Sequence, residues 1–417
     1  MSGAVPGEAR AVATSRTGGG FRADGSAATA PVPSYPALTG LRFFAAFSIV
    51  LWHSQTGYFF PANAFLPFML AGAVPLFFVL SGFVLTVNAP KYRRKSDFLV
   101  ARIARVWPGH MSALVFLFAI FWPYSLSLLH GAANLGRFAA NVTLLQAWSP
   151  QMATYWSLNA PSWSVSVELC FYVLFPFLLP WLARRPARRM LALVGIAVGF
   201  ILVIGKAFPH IDPLWLGDIS PVINIPTFAC GIVAASVLRR LPVSTAGFAG
   251  SSAIELAALA FAIWGNAWFA SVAGIGWPPG LAAFVQISGA VPGYTLLILA
   301  LARYRGVVSW VLSLRLAVYL GEISYTIYLF HQLVIRAHSS YQSWHTGWRG
   351  QFAALPIWWQ YAALLLGILV IAMASHHLIE QPARRGMVAL WRRRRAAPVD
   401  PARSPAIVAR ITQGDHP

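Results

Sequence analysis

Apolar residues along this chain come in long runs that hold almost no charge, rather than alternating or forming narrow stripes. Ten runs stand out, over about 38–58, 66–87, 109–129, 163–183, 189–206, 219–238, 249–271, 279–302, 315–335 and 355–379. Each is close to the roughly 20 residues a helix needs to cross a bilayer. Runs of this kind can cross only as helices, which satisfy every backbone polar group within the segment. The pattern predicts an all-α integral membrane protein, a bundle of about ten transmembrane helices. The fourth and fifth runs are the least well separated, by Arg184, Arg185, Pro186, Ala187, Arg188 and Arg189. The polar flanks set the organisation: residues 1–36, rich in Gly, Ala, Ser and Pro, read as a disordered tail. Residues 37–386 form the transmembrane domain. Residues 387–417, with the run Arg392 to Arg395, read as a basic disordered tail that can lie on anionic lipid. The longest outer connection, about 130–162, holds Trp148, Tyr155 and Trp156 and reads either as an ordered loop or as an interfacial segment.

Composition removes the soluble alternatives. Of 417 residues 58% are hydrophobic and 10% charged, against about 25% charged in an ordinary soluble chain. The net charge of +20 would suit nucleic acid if it formed one basic face, but its distribution says otherwise. Apart from Arg42, inside the first run, all but four of the 31 Lys and Arg fall on the tails and on alternate connections. The four are Arg137, Lys206, Arg336 and Arg349. Such asymmetry marks the cytoplasmic side, so both termini are expected in the cytoplasm and no nucleic-acid partner is predicted. The two cysteines, Cys170 and Cys230, lie inside apolar runs, and no metal site is expected.

The informative residues are the polar groups in those runs, since an ionisable side chain at mid-helix costs about 2.5–3.5 kcal/mol on insertion scales. Arg42 and His53 share one face of the first helix, about 16 Å apart along its axis. Ser81-Gly82 in the second run permits close helix approach. Arg102 and Arg105, in the basic loop before the third run, share a helical face and suit bidentate phosphate binding. Ser164, Glu168 and Tyr172 form one stripe, and Ser324, Tyr328 and His331 another. Glu380 is expected to pair with a nearby arginine. Glu255 is structural or part of a local ion pair.

Arg42-x10-His53, Phe77-Phe78-Val-Leu-Ser81-Gly82-Phe83, Arg102-x-x-Arg105, Trp163 to Tyr172, Ser324-Tyr325 to His331 and Glu380-Gln-Pro382 follow one another in order. Together they resemble the membrane-bound acyltransferase-3 family over about residues 36–386. That family O-acylates lipopolysaccharide, exopolysaccharide, peptidoglycan and macrolide sugars. The resemblance implies a multi-pass protein of the bacterial cytoplasmic membrane. It would transfer an acyl group from acyl-CoA, with acetyl-CoA the expected donor, to a sugar hydroxyl. His53 is implied as the base or transient acyl carrier, and Arg42, Arg102 and Arg105 as donor-binding residues. Ser324 and Tyr328 are counted with the donor site. Glu168 is expected to orient His53, and His331 with Tyr328 to assist at the acceptor or oxyanion. A histidine suits the chemistry because its ordinary pKa lies near neutral pH. The rival reading is a transporter or flippase of the acyl donor or a glycolipid. Intramembrane charges fit it, but two matching halves with paired interrupted helices are missing.

Overall fold

The computed structural model describes residues 33–57, 73–122, 124–344 and 356–396. Their regular structure is helical: α1 (Pro36–Gly57), α2 (Ala73–Asn88), α3 (Lys95–Ile120), α4 (Ala132–Val142), α5 (Trp163–Arg184), α6 (Pro186–Ala207), α7 (Pro221–Leu238), α8 (Phe248–Val272), α9 (Pro279–Ser288), α10 (Val291–Arg303), α11 (Val307–Leu312), α12 (Arg315–Glu322), α13 (Ser324–Trp344), α14 (Ile357–Ser375) and α15 (Gln381–Ala396). Prolines open α1, α6, α7 and α9, where a missing N–H costs nothing and the fixed φ suits the first turn. The close fourth and fifth runs do part at Arg185, with Pro186 starting α6.

Among the described residues nine helical stretches are long and apolar enough to cross a membrane. The chain is a multi-pass membrane protein. The ninth expected span, 315–335, is divided: α12 ends at Glu322 and α13 begins at Ser324. The α13 helix is too polar to count by composition, yet it is buried from Ser324 to His331, packed among α1, α3 and α14. In that stretch Ser324, Thr326 and Tyr328 donate to the carbonyls of Gly321, Ile323 and Pro161. By contrast α6 and α8 have only 17% and 22% of their apolar stretches buried, against 67% for the span that contains α2. Side chains such as Leu191 and Val203 on α6 face outward as lipid-contacting residues would.

Two other boundaries move. Helix α3 starts at Lys95, so Arg102 and Arg105 lie on a helix rather than in a loop; their charge had hidden its first turns from a hydropathy reading. Helix α15 runs to Ala396, so the tail expected to be disordered from 387 begins as helix, while 1–32 and 397–417 lie outside the described residues. Asp97 of α3 explains the docking, because it accepts hydrogen bonds from Trp391 Nε1 at 2.9 Å and Arg395 Nη1 at 2.6 Å.

Glycine sets the contact between α2 and α7. A Cβ on Gly82 of α2 would lie 2.1 Å from the Phe228 carbonyl oxygen, and one on Gly231 of α7 1.9 Å from that of Val79. Backbones can approach this closely only where side chains vanish. Glu255, buried in α8, accepts hydrogen bonds from Gly306 N–H at 2.8 Å and Ser309 N–H at 2.9 Å. It caps α11, whose first N–H groups lack partners in their own helix. The 130–162 connection is ordered. His110 of α3 donates from Nε2 to the Asn141 carbonyl at 2.9 Å, and Asn159 Nδ2 donates to the Leu329 carbonyl at 2.9 Å. Tyr155 donates to Asp212 at 2.5 Å, and burial with that carboxylate pushes its phenol above the ordinary value. This segment packs against α13 close to His331, through the Asn159–Leu329 hydrogen bond.

Candidate active site

The Ser164–Glu168–Tyr172 stripe of α5 faces inward. With Ser81 of α2, Arg42 of α1, Arg102 and Arg105 of α3, and Ser324 and Tyr328 of α13, it lines an internal cavity of about 110 Å³. Arg42 and Arg105 also line a second space of about 1010 Å³ at the basic end of the bundle. A charged vestibule therefore adjoins a narrower, largely apolar chamber, with two arginines at the junction.

The arginines are held differently. Arg105 pairs with the fully buried Glu380. Glu380 sits in a widened π turn, His376–Glu380, a distortion often found at functional sites. Its second oxygen accepts a bond from His376 Nδ1 at 3.0 Å, and Gln381 Nε2 donates to His376 Nε2 at 2.8 Å. The expected arginine partner of Glu380 is thus Arg105, brought from α3. Arg102 Nη2 donates to the Tyr92 hydroxyl at 2.6 Å, while its buried Nε has no hydrogen-bond partner among the described residues. Arg42 makes no hydrogen bond or ion pair among the described residues, although it borders both spaces. An unpaired Arg42 at the junction and an unpartnered Nε on Arg102, which lines the inner chamber, suit an anion that is not part of the chain.

At the other end of α1, His53 Nδ1 lies 3.0 Å from His331 Nε2, and the rings are 5.0 Å apart. His331 Nδ1 is 2.5 Å from the Tyr328 carbonyl. A carbonyl only accepts, so His331 carries its proton on Nδ1 and offers a lone pair at Nε2. His53 must then donate from Nδ1, which leaves the basic lone pair of neutral His53 on Nε2. The second histidine fixes the tautomer of the first, as a carboxylate or carbonyl does in other histidine sites.

Not every candidate converges here. Glu168, expected beside His53, instead accepts hydrogen bonds from Tyr172 at 2.6 Å and Ser81 at 3.3 Å and lines the arginine chamber. Glu168 is position six of the 22-residue α5, but depth along a helix axis does not give proximity to a residue on another helix. Tyr328 donates to the Pro161 carbonyl at 2.9 Å and sits 2.8 Å from Ser164 Oγ. Its single proton is committed to backbone, which removes the oxyanion role expected of it. Ser324 is likewise spent on the Gly321 carbonyl at 2.8 Å. Both line the chamber as shape, and Tyr328, 5.7 Å from His331 between ring centroids, joins the chamber to the histidine pair. Ser81 was read as a packing residue; Gly82 does that work, and Ser81 turns into the chamber. His376 and Tyr92 were missed, since neither belongs to a stripe within its own run. Among the described residues no cluster of His, Cys, Asp or Glu is arranged to hold a metal.

Comparison with known proteins gives the same assignment from another direction. Residues 35–377 match the acyltransferase domain of the acyltransferase-3 family. Acyltransferase MdmB of Streptomyces mycarofaciens is 30% identical over 395 residues, covering 89% of this chain and 95% of that protein. Nodulation protein 10 of Rhizobium leguminosarum bv. viciae is 28% identical over 379 residues, covering 85% and 94%. The putative peptidoglycan O-acetyltransferase YrhL of Bacillus subtilis (strain 168) is 24% identical over 375 residues, 84% of this chain and 55% of that protein. No solved structure matches. With a family match over most of the chain, a helical bundle of membrane-spanning length and relatives named as acyltransferases, this chain belongs to the acyltransferase-3 family and is a multi-pass membrane acyltransferase.

Proposed function

We propose that the chain transfers an acetyl group from acetyl-CoA to a sugar hydroxyl of a cell-envelope polysaccharide or a glycosylated metabolite, with His53 as general base. The observation that carries this reading is the polarity of the site: an arginine-lined vestibule at one end and a tautomer-fixed histidine pair at the other. A donor with phosphates at one end of a long arm and a thioester at the other matches that polarity. The excess of Lys and Arg at the vestibule end supports a cytoplasmic donor entrance, and hence an inner-membrane enzyme with both termini inside. A relative named as a putative peptidoglycan O-acetyltransferase supports the acetyl group and the carbohydrate acceptor.

In the proposed step the acceptor oxygen attacks the thioester carbonyl carbon while its proton passes to His53 Nε2. The tetrahedral intermediate then collapses, the C–S bond breaks, and the departing thiolate takes the proton from His53 Nε2. His331 accepts the hydrogen bond from His53 Nδ1 throughout and stabilises the transient imidazolium. Arg42, Arg102 and Arg105 hold the donor, and Ser324 and Tyr328 shape its channel.

The test is thiol release from acetyl-CoA by purified protein. His53→Ala should insert normally, because a polar group is removed from a helix, and should lower acetyl transfer by about 10²–10⁴-fold. His331→Ala should also lower the rate, with part recovered in His331→Gln, whose amide oxygen can still accept from His53 Nδ1. Near wild-type turnover by well-folded His53→Ala would overturn the mechanism. Absence of acetyl-CoA consumption by the wild type would overturn the proposed donor.

A further inference from the structure

Helix α15 begins beyond residue 377, where the family match ends, yet it forms one wall of the vestibule. Arg384, Arg385 and Arg392 face that space alongside Arg42 and Arg105, and the lining carboxylate is Glu322. Neither Arg384 nor Arg392 makes a hydrogen bond or ion pair among the described residues. Arg385 is tied only to Gln381 on its own helix, at 3.1 Å. Like charges gathered around one cavity repel and raise the energy of the empty site; a polyanion relieves that repulsion. Guanidinium forks match phosphate oxygens in particular.

A second recess, of about 500 Å³, adjoins the vestibule and shares Tyr92 and Arg392 with it. The indole of Trp391 lines this recess, and its hydrogen bond to Asp97 fixes the ring. Arg395, bound to Asp97, lies 5.7 Å from the centre of that ring, and Arg93 and Arg392 also line the recess; a held aromatic ring among guanidinium groups is how proteins grip a base and its phosphates together. From Glu380, the partner of Arg105 at the junction, to Arg392 is about 18 Å along the helix axis. An extended molecule could therefore keep its phosphates here with its far end in the chamber.

We infer that α15 is the nucleotide-binding element of this enzyme: Arg384 and Arg392 take the phosphates of the donor and Trp391 takes its adenine. The inference rests on the acyl-CoA reading above but has its own test. Phosphate esters also occur as lipid headgroups, and the experiment must separate the two sources.

The full-length protein in nanodiscs, carrying Arg384→Gln and Arg392→Gln together, is compared with Arg393→Gln and Arg394→Gln, which remove the same charge from exposed positions outside the vestibule. The first pair should raise the KM for acetyl-CoA about tenfold or more and weaken binding of adenosine 3′,5′-bisphosphate to a similar degree. With S-acetyl-pantetheine, which lacks the nucleotide, its kcat/KM should stay at the wild-type value. The control pair should change none of these. An unchanged KM for acetyl-CoA in the first pair, or equal losses with both donors, would overturn the proposal. So would unchanged bisphosphate binding accompanied by loss of the thermal stabilisation conferred by phosphatidylglycerol over phosphatidylcholine nanodiscs, which would assign the arginines to lipid. Bisphosphate binding that depends on Arg384 and Arg392 in a protein that consumes no thioester would retain this site and sink the function above.

Discussion

Arg102 and Arg105 lie one turn apart on α3, yet the structure gives them different duties, and substitution should separate them. Arg102 is held by Tyr92 and leaves a buried Nε unpartnered. Its replacement by alanine should raise the donor KM with little change in kcat or thermal stability, the signature of lost uniform binding. Arg105 neutralises Glu380, whose side chain is 0% exposed. Removing one partner of a buried pair costs about 3–5 kcal/mol, because the remaining charge stays stranded. Arg105→Ala should therefore lose melting temperature as well as donor affinity, and Arg105→Ala with Glu380→Gln should regain stability but not affinity. Thermal unfolding alongside donor titration checks this; equal stability of the two single alanine variants would contradict the assignment.

Among elements, the joints between helices carry as much information as the spans. The short helix α11 leads into α12, which packs on α1, and its N-terminus is satisfied by Glu255 from α8. Two N–H groups would be orphaned in Glu255→Ala, at about 1–3 kcal/mol for each buried unsatisfied group. The expected result is a lower melting temperature with an unaltered KM for acetyl-CoA, since Glu255 lines neither the chamber nor the vestibule. A donor defect in a folded Glu255→Ala protein would move this residue into the site. The α2–α7 contact is similar in kind: Gly82 and Gly231 leave no room for a methyl group, so the register of α2, and with it Ser81, is set by backbone contact.

For the molecule as a whole, orientation decides which face meets the donor. Reporter fusions after residues 187 and 243 should report the cytoplasm, and fusions after residue 150 the opposite side. The motivation is the concentration of Lys and Arg at the vestibule end. A cytoplasmic signal at 150 would invert the protein and put the histidine pair, not the vestibule, beside the cytoplasm. Burial separates α13, buried from Ser324 to His331, from α6 and α8, whose apolar stretches are only 17% and 22% buried.

The all-α class, most of the spans and the inward stripes were legible in sequence, because insertion length and the 3.6-residue period are local properties of a helix. The breaks at Arg185 and the pairing of Glu380 with some arginine follow from the same local logic. What tertiary structure decided is which faces meet. His53 and His331 are 278 positions apart, and nothing local says that they touch while Glu168 turns to Ser81 and Tyr172. The start of α3 and the helical course of α15 were hidden because charge was read as loop or tail. In both cases a partner elsewhere stabilises a helix whose basic face borders the vestibule. Residue type and period set what each helix can offer, whereas close packing across glycine and ion pairing across the bundle select the neighbour that receives it.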